Sequence, residues 1–154
     1  MMFITHMSFA LFIGLLMISR IALPVNQVIF LAILVFASLL PDIDSAHSLL
    51  GSKVKAVSLA FRHRGVIHSI FIMMIFGIML IIITPNLYYL LAFVIGYLSH
   101  LMLDSLTPKG VPLFWPSKKR LNGSIRTTGL FDWLLLSLFF VLDVMLILGM
   151  HIIT

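Results

Sequence analysis

Cysteine is absent from this chain, and so is glutamate. The first absence excludes a disulfide framework and any thiolate metal site, which leaves histidine and aspartate as the strong metal ligands on offer. The second excludes the solvated Glu/Lys helix face of an ordinary soluble protein, so Asp42, Asp44, Asp104, Asp132 and Asp143 each need their own explanation. Charge of either sign is scarce. Only 10% of the 154 residues are charged, against roughly 25% in a typical soluble domain, and 62% are hydrophobic. Those proportions describe a polytopic integral membrane protein. Met1 to Ser19 lacks a basic n-region and a small-x-small cleavage pattern before Arg20, so it reads as a retained span rather than a cleaved leader.

Five apolar runs are present: Met2 to Ser19, Val25 to Leu40, Val66 to Ile83, Leu87 to Leu103, and Leu130 to Ile153. Crossing a bilayer as a helix takes roughly 17–25 residues, so the second run is slightly short. The expected fold is all-α, with about five transmembrane helices plus one interfacial helix, in a single transmembrane domain over residues 1–154. Arg20 to Pro24 and Thr84-Pro85-Asn86 make tight turns between antiparallel neighbours, whereas Pro41 to Gly65 and Asp104 to Gly129 are long connections. Within the first long connection, Leu50, Val54, Val57 and Phe61 recur at helical spacing with Lys53, Lys55 and Arg62 off that face, which predicts a short helix lying in the interface. The second connection holds Pro108, Pro112 and Pro116, which exclude a regular helix, and Asn122-Gly123, a turn pair expected to fold Leu113 to Arg126 back on itself. Phe114 and Trp115 suit headgroup depth.

On an up-and-down path, odd runs start on the face where even runs finish. His6 starts the first run, Asp42 and Asp44 follow the second, and His63 and His68 bracket the start of the third. His100 and Asp104 end the fourth, and Asp132 starts the fifth. All of them therefore arrive on one side of the membrane, where incidental caps would be spread over both. Lys53, Lys55, Arg62, Arg64, Lys109, Lys118, Lys119, Arg120 and Arg126 share that side, and Arg20 lies opposite. The positive-inside rule then predicts a cytoplasmic N-terminus and a C-terminus outside. The net charge of +5 follows the same loops, a placement that suits lipid phosphate, and no nucleic-acid partner is expected.

The chemistry-bearing pairs have short spacings. Asp42 and Asp44 flank one residue after Pro41, so they either chelate a cation or cap the next element and meet Arg62 or Arg64. His100 and Asp104 are four apart and share a helix face, as do Arg64 and His68. Mixed imidazole and carboxylate ligation suits zinc or manganese. Asp132 reads as an acid stabilised by the start of the fifth helix, and Asp143, mid-span, as either a functional intramembrane acid or the partner of a Tyr or Ser on another helix. His47 and His151 receive no role.

Five motifs carry a resemblance: His6; Leu40-Pro41-Asp42-Ile43-Asp44 with Ser48-Leu49-Leu50-Gly51 after it; His63-Arg64-Gly65-x-x-His68-Ser69; Gly96-Tyr97-Leu98-Ser99-His100-Leu101-x-x-Asp104-x-x-Thr107-Pro108; and Gly110-Val111-Pro112-Leu113-x-Trp115-Pro116. In this order they resemble the YdjM-like family of membrane-bound predicted metal-dependent hydrolases, called LexA-regulated after its bacterial members, from His6 to about Trp115. The resemblance implies a bacterial or archaeal inner-membrane protein with presumed hydrolase activity. Zinc-dependent phospholipases C, which also gather His and Asp from helix ends around metal, are similar by analogy. The chain departs from the family in lacking the hydroxyl of Thr-His-Ser at Ile67-His68-Ser69, and in the segment Arg126-Thr127-Thr128-Gly129-Leu130-Phe131-Asp132.

The reading is a divalent-metal hydrolase whose ligands are His6, Asp42, Asp44, His68, His100 and Asp104, with His63 or an unligated Asp moving a proton and Arg64 with the loop lysines holding an anionic group. The expected substrate is a phosphoester of a membrane lipid or lipid-linked anion at the cytoplasmic interface. Two other classes use the same residues: a divalent metal-ion transporter or sensor, and a salt-bridged seam that locks the helices together.

Overall fold

The computed structural model describes residues 1–44, 66–117 and 119–153. Each apolar run becomes a helix: α1 Phe3–Arg20, α2 Gln27–Leu39, α3 Ile70–Ile83, α4 Leu87–Ser105 and α5 Leu130–Ile153. Short 3-10 turns, Leu40–Asp44 and Val66–His68, extend α2 and precede α3. Among the described residues there is no strand, only one isolated antiparallel bridge between Val111 and Leu121. The expected interfacial helix lies outside the described residues.

Asparagine caps fix the starts of α2 and α4. Asn26 accepts from the amides of Val28 and Ile29 at 3.0 and 3.1 Å, and Asn86 accepts from Tyr88 and Tyr89 at 2.9 and 3.3 Å. Such a cap contributes about 1 kcal/mol and stops the helix from drifting into the preceding turn. Helices α1, α4 and α5 are long and apolar enough to cross a membrane, whereas α2 and α3 are shorter apolar helices. The 13 residues of α2 rise about 20 Å. Its 3-10 continuation adds about 2 Å per residue, which brings Asp42 towards the membrane edge.

Packing makes α4 the axis of the bundle. Half of its span is buried, against 11% for α5, whose apolar residues face outward as a lipid-facing helix requires. Without a hydrophobic force between helices in lipid, close approach comes from small residues. Ala10 on α1, Ala37 on α2 and Ala92 on α4 are fully buried beside Phe30, Leu34 and Tyr97. Gly96 comes so near α2 that an added Cβ would lie 2.0 Å from the Leu34 carbonyl oxygen. Helix α5 joins α1 through Phe139, whose ring centroid is 4.7 Å from Phe9 and 5.7 Å from Phe12.

The connection after α4 does fold back, but its reversal is the Val111–Leu121 pair, with reciprocal backbone bonds of 2.9 and 3.0 Å. The Asn122-Gly123 pair is not the hairpin tip. Gly123 instead lies against the end of α4, where its amide donates to the Thr107 carbonyl and a Cβ would stand 2.4 Å from the Leu106 oxygen. Glycine is required there by close approach rather than by turn geometry. The Leu113 carbonyl of the same connection accepts from the Ile70 amide, tying it to the start of α3. Phe114 is exposed at its rim, and Trp115 packs its ring on Phe71 at 5.6 Å.

Candidate metal centre

Four helix ends deliver the cluster. His6 sits in the first turn of α1, Asp42 in the 3-10 tail of α2, His68 at the close of the 3-10 turn before α3, and His100 with Asp104 on successive turns of α4. His6, His68, His100 and Asp104 are buried, and the Asp42 side chain is 17% exposed. The up-and-down path therefore brings together His6, Asp42, His68, His100 and Asp104 as the sequence predicts. The Asp44 side chain, and the whole of His63 and Arg64, lie outside the described residues.

Neighbouring structure aims each ring. The Tyr97 hydroxyl, one turn before His100 on the same buried face, donates to the Ile67 carbonyl beside His68. Ser69 closes that turn by donating to the Val66 carbonyl at 2.6 Å while accepting from the Ile72 amide. His100 Nδ1 lies 2.6 Å from the Ser38 carbonyl oxygen. A carbonyl only accepts, so Nδ1 carries the proton and Nε2 turns its lone pair into the cluster, the arrangement expected of a metal-ligating histidine. That buried Nε2 has no hydrogen-bond partner among the described residues. It faces Asp42 Oδ1 at 3.9 Å and Asp104 Oδ2 at 3.7 Å.

The other separations have the same character. His6 Nε2 is 3.4 Å from Asp104 Oδ1, and His68 Nε2 is 3.6 Å from Asp104 Oδ2. The His6 and His100 rings stack at 3.9 Å, and His68 meets His100 edge-on at 5.4 Å. These donor separations exceed the roughly 2.7–3.2 Å of a hydrogen bond. Bonds of about 2.0–2.2 Å at tetrahedral angles place neighbouring ligand atoms about 3.3–3.6 Å apart, so the spacing fits donors arranged around a cation, a few tenths of an ångström wide at the far end. Two triads fall within 4.8 Å of mutual reach: His6, His100 and Asp104, and Asp42, His68 and His100. The Met1 nitrogen also meets Asp104 Oδ1, at 2.9 Å.

The remaining acids separate cleanly from this set. Asp132 accepts from Thr5 Oγ1 at 2.8 Å and from the amides of Met2 and Thr128 at 3.0 Å each, so it brackets the start of α1 onto the first turn of α5. Asp143 accepts from Ser8 Oγ at 2.8 Å in the α1–α5 seam, the serine pairing open to it from sequence. Thr5 and Ser38 escaped the sequence reading, and Tyr97 entered it only as a member of the Gly96 to Pro108 motif, with no role of its own. Only Tyr97 left a signal, a hydroxyl three residues before His100 within an apolar helix.

The family profile described as "YdjM inner membrane protein" matches residues 1–153. The "Inner membrane protein YdjM" of Escherichia coli (strain K12) is 39% identical over 95 residues, covering 56% of this chain and 48% of that protein, and its namesake in Shigella flexneri matches to the same extent. The "Uncharacterized protein YvsG" of Bacillus subtilis (strain 168) is 35% identical over 89 residues, covering 55% of this chain and 56% of its own. The matched stretch thus spans about half the length of the curated relatives. No solved structure matches. With the match running from the α1 start to the α5 end through every helix that supplies the cluster, the chain belongs to the YdjM family of inner membrane proteins.

Proposed function

We propose that the protein is a membrane-bound, metal-dependent hydrolase that cleaves a phosphoester of a lipid or lipid-linked substrate at the cytoplasmic interface. The observation that carries this reading is His100 Nε2: buried, fixed as a lone-pair donor by the Ser38 carbonyl, and aimed at the carboxylates of both Asp42 and Asp104. A cation reconciles three facing sets of lone pairs. Protonating the stacked His6 and His100 instead would set like charges 3.9 Å apart in a buried place.

His6, Asp42, His68, His100 and Asp104 would hold the ion, with Asp44 assigned beside them, and zinc or manganese fits the donor set. When bound, such an ion supplies Lewis-acid activation of water and of a phosphoryl oxygen. His63 is assigned the proton transfer, and Arg64 the anionic group. The connection after α4 brings Lys109, Lys119, Arg120 and Arg126 to the end of the bundle that carries Asp104, beside exposed Phe114. Basic side chains with an aromatic rim suit an anionic headgroup.

The cluster's place at helix ends favours an enzyme over a carrier, because transporter ligands gather near the middle of broken helices. The test is release of the headgroup or of inorganic phosphate from vesicles of anionic phospholipid or isoprenyl phosphate by protein loaded with zinc or manganese. Turnover that drops at least a hundredfold in His100→Ala and Asp104→Ala is expected. No turnover on either lipid class, or turnover that both substitutions leave intact, refutes it.

A further inference from the structure

Asp104 turns its two oxygens to different imidazoles. Oδ1 faces His6 at 3.4 Å, whereas Oδ2 faces His68 at 3.6 Å and His100 at 3.7 Å. One histidine nitrogen ligates one ion only, and His100 belongs to both triads within 4.8 Å reach, so it serves one side of the cluster and not the other. The two triads together make five donor residues, His6, Asp42, His68, His100 and Asp104, one more than a single tetrahedral ion takes. Asp42 belongs to the triad with His68 and His100, its Oδ1 3.9 Å from His100 Nε2, and not to the triad that contains His6.

We propose that the centre takes two cations bridged by Asp104, one among Asp42, His68, His100 and Oδ2, the other on His6 and Oδ1. This rests on the metal-site reading above and adds number and division of labour to it. The first position has a full set of four protein donors, the complement of a closed structural site. The second draws few donors from the described residues, and a position short of protein ligands is where water and a phosphate oxygen enter. The Met1 nitrogen, 2.9 Å from Oδ1, is the competing partner for the His6 side.

The experiment loads the full chain in detergent with Mn2+, removes excess ion, and reads metal per chain by elemental analysis and spin coupling by electron paramagnetic resonance. Two ions per chain with an exchange-coupled spectrum are expected. His6→Ala should then fall to one ion and revert to the isolated-ion spectrum, while Asp42→Ala loses the ion of the other position. His6→Gln, which retains a polar side chain of similar length, guards against a folding defect, and both variants must elute as the wild type does. One uncoupled ion in the wild type overturns the bridged pair and leaves Oδ1 to the Met1 nitrogen, with the hydrolase reading intact. Two ions retained in His6→Ala and His6→Gln overturn it too, and no bound ion at all removes the metal site together with the proposal.

Discussion

Gly96→Ala is the sharpest perturbation that the packing offers, because it touches no ligand and yet reaches the centre. The added Cβ would lie 2.0 Å from the Leu34 carbonyl oxygen, 2.9 Å from its carbon and 3.1 Å from Ala37 Cβ. Ordinary contact needs about 3.4 Å or more, so α2 and α4 must separate by more than ~1 Å. The obstacle is main chain and cannot rotate aside. Ser38, one turn beyond Leu34 on the same helix, supplies the carbonyl that holds His100 Nδ1 at 2.6 Å. A retreat of that size breaks the bond. Overpacking of this kind costs about 1–3 kcal/mol, and loss of a ligand's outer partner typically costs about 10–100-fold in metal affinity. The assay is thermal loss of the monodisperse fraction in detergent, with a metal titration alongside. Gly14→Ala, which meets only the side-chain ends of Leu31 and Leu34, and Gly149→Ala, which meets nothing within 4 Å, serve as controls of smaller effect. If Gly96→Ala melts and binds metal like these controls, α2 does not position His100.

Asp132→Ala leaves the amides of Met2 and Thr128 and the Thr5 hydroxyl without their acceptor, so a loss of about 1–3 kcal/mol in thermal stability is expected with metal stoichiometry unchanged. A missing ion in that variant would make Asp132 a ligand. Ser8→Ala removes the hydrogen bond to Asp143 inside the α1–α5 seam, and adding Asp143→Leu should recover most of the lost stability. Strictly additive losses in that double-mutant cycle would show the pair to be uncoupled. Reporter fusions should place the N-terminus in the cytoplasm and the C-terminus outside, and the opposite labelling would reverse the assignment of the metal centre to the inner face.

Why the sequence disclosed one half of this arrangement and hid the other follows from what each half depends on. The helices were legible because run length and caps survive in sequence: Leu130 to Ile153 is reproduced residue for residue, and Val66 to Ile83 differs only because Ser69 caps the α-helix after a 3-10 turn. The gathering of His6, Asp42, His68, His100 and Asp104 was legible for a stronger reason, since alternation across a membrane fixes which helix ends meet whatever the side chains are. The buried faces were not, because helices apolar all round carry little periodicity, and only small residues such as Gly96 and Ala37 mark where backbones touch. Hidden too was what tells two buried acids apart. Asp132 and Asp104 both sit at helix ends on the same side, and only its place in the first turn of a helix marked Asp132 as a stabilising acid rather than a ligand. Asp132, however, is met by amide and hydroxyl hydrogens, while Asp104 is met by three imidazoles. The amides and carbonyls that make this difference, at Met2, Thr128 and Ser38, are present in every residue and leave no mark in a sequence. Parity of the membrane path therefore selects the neighbourhood, and backbone donors select the ligands within it.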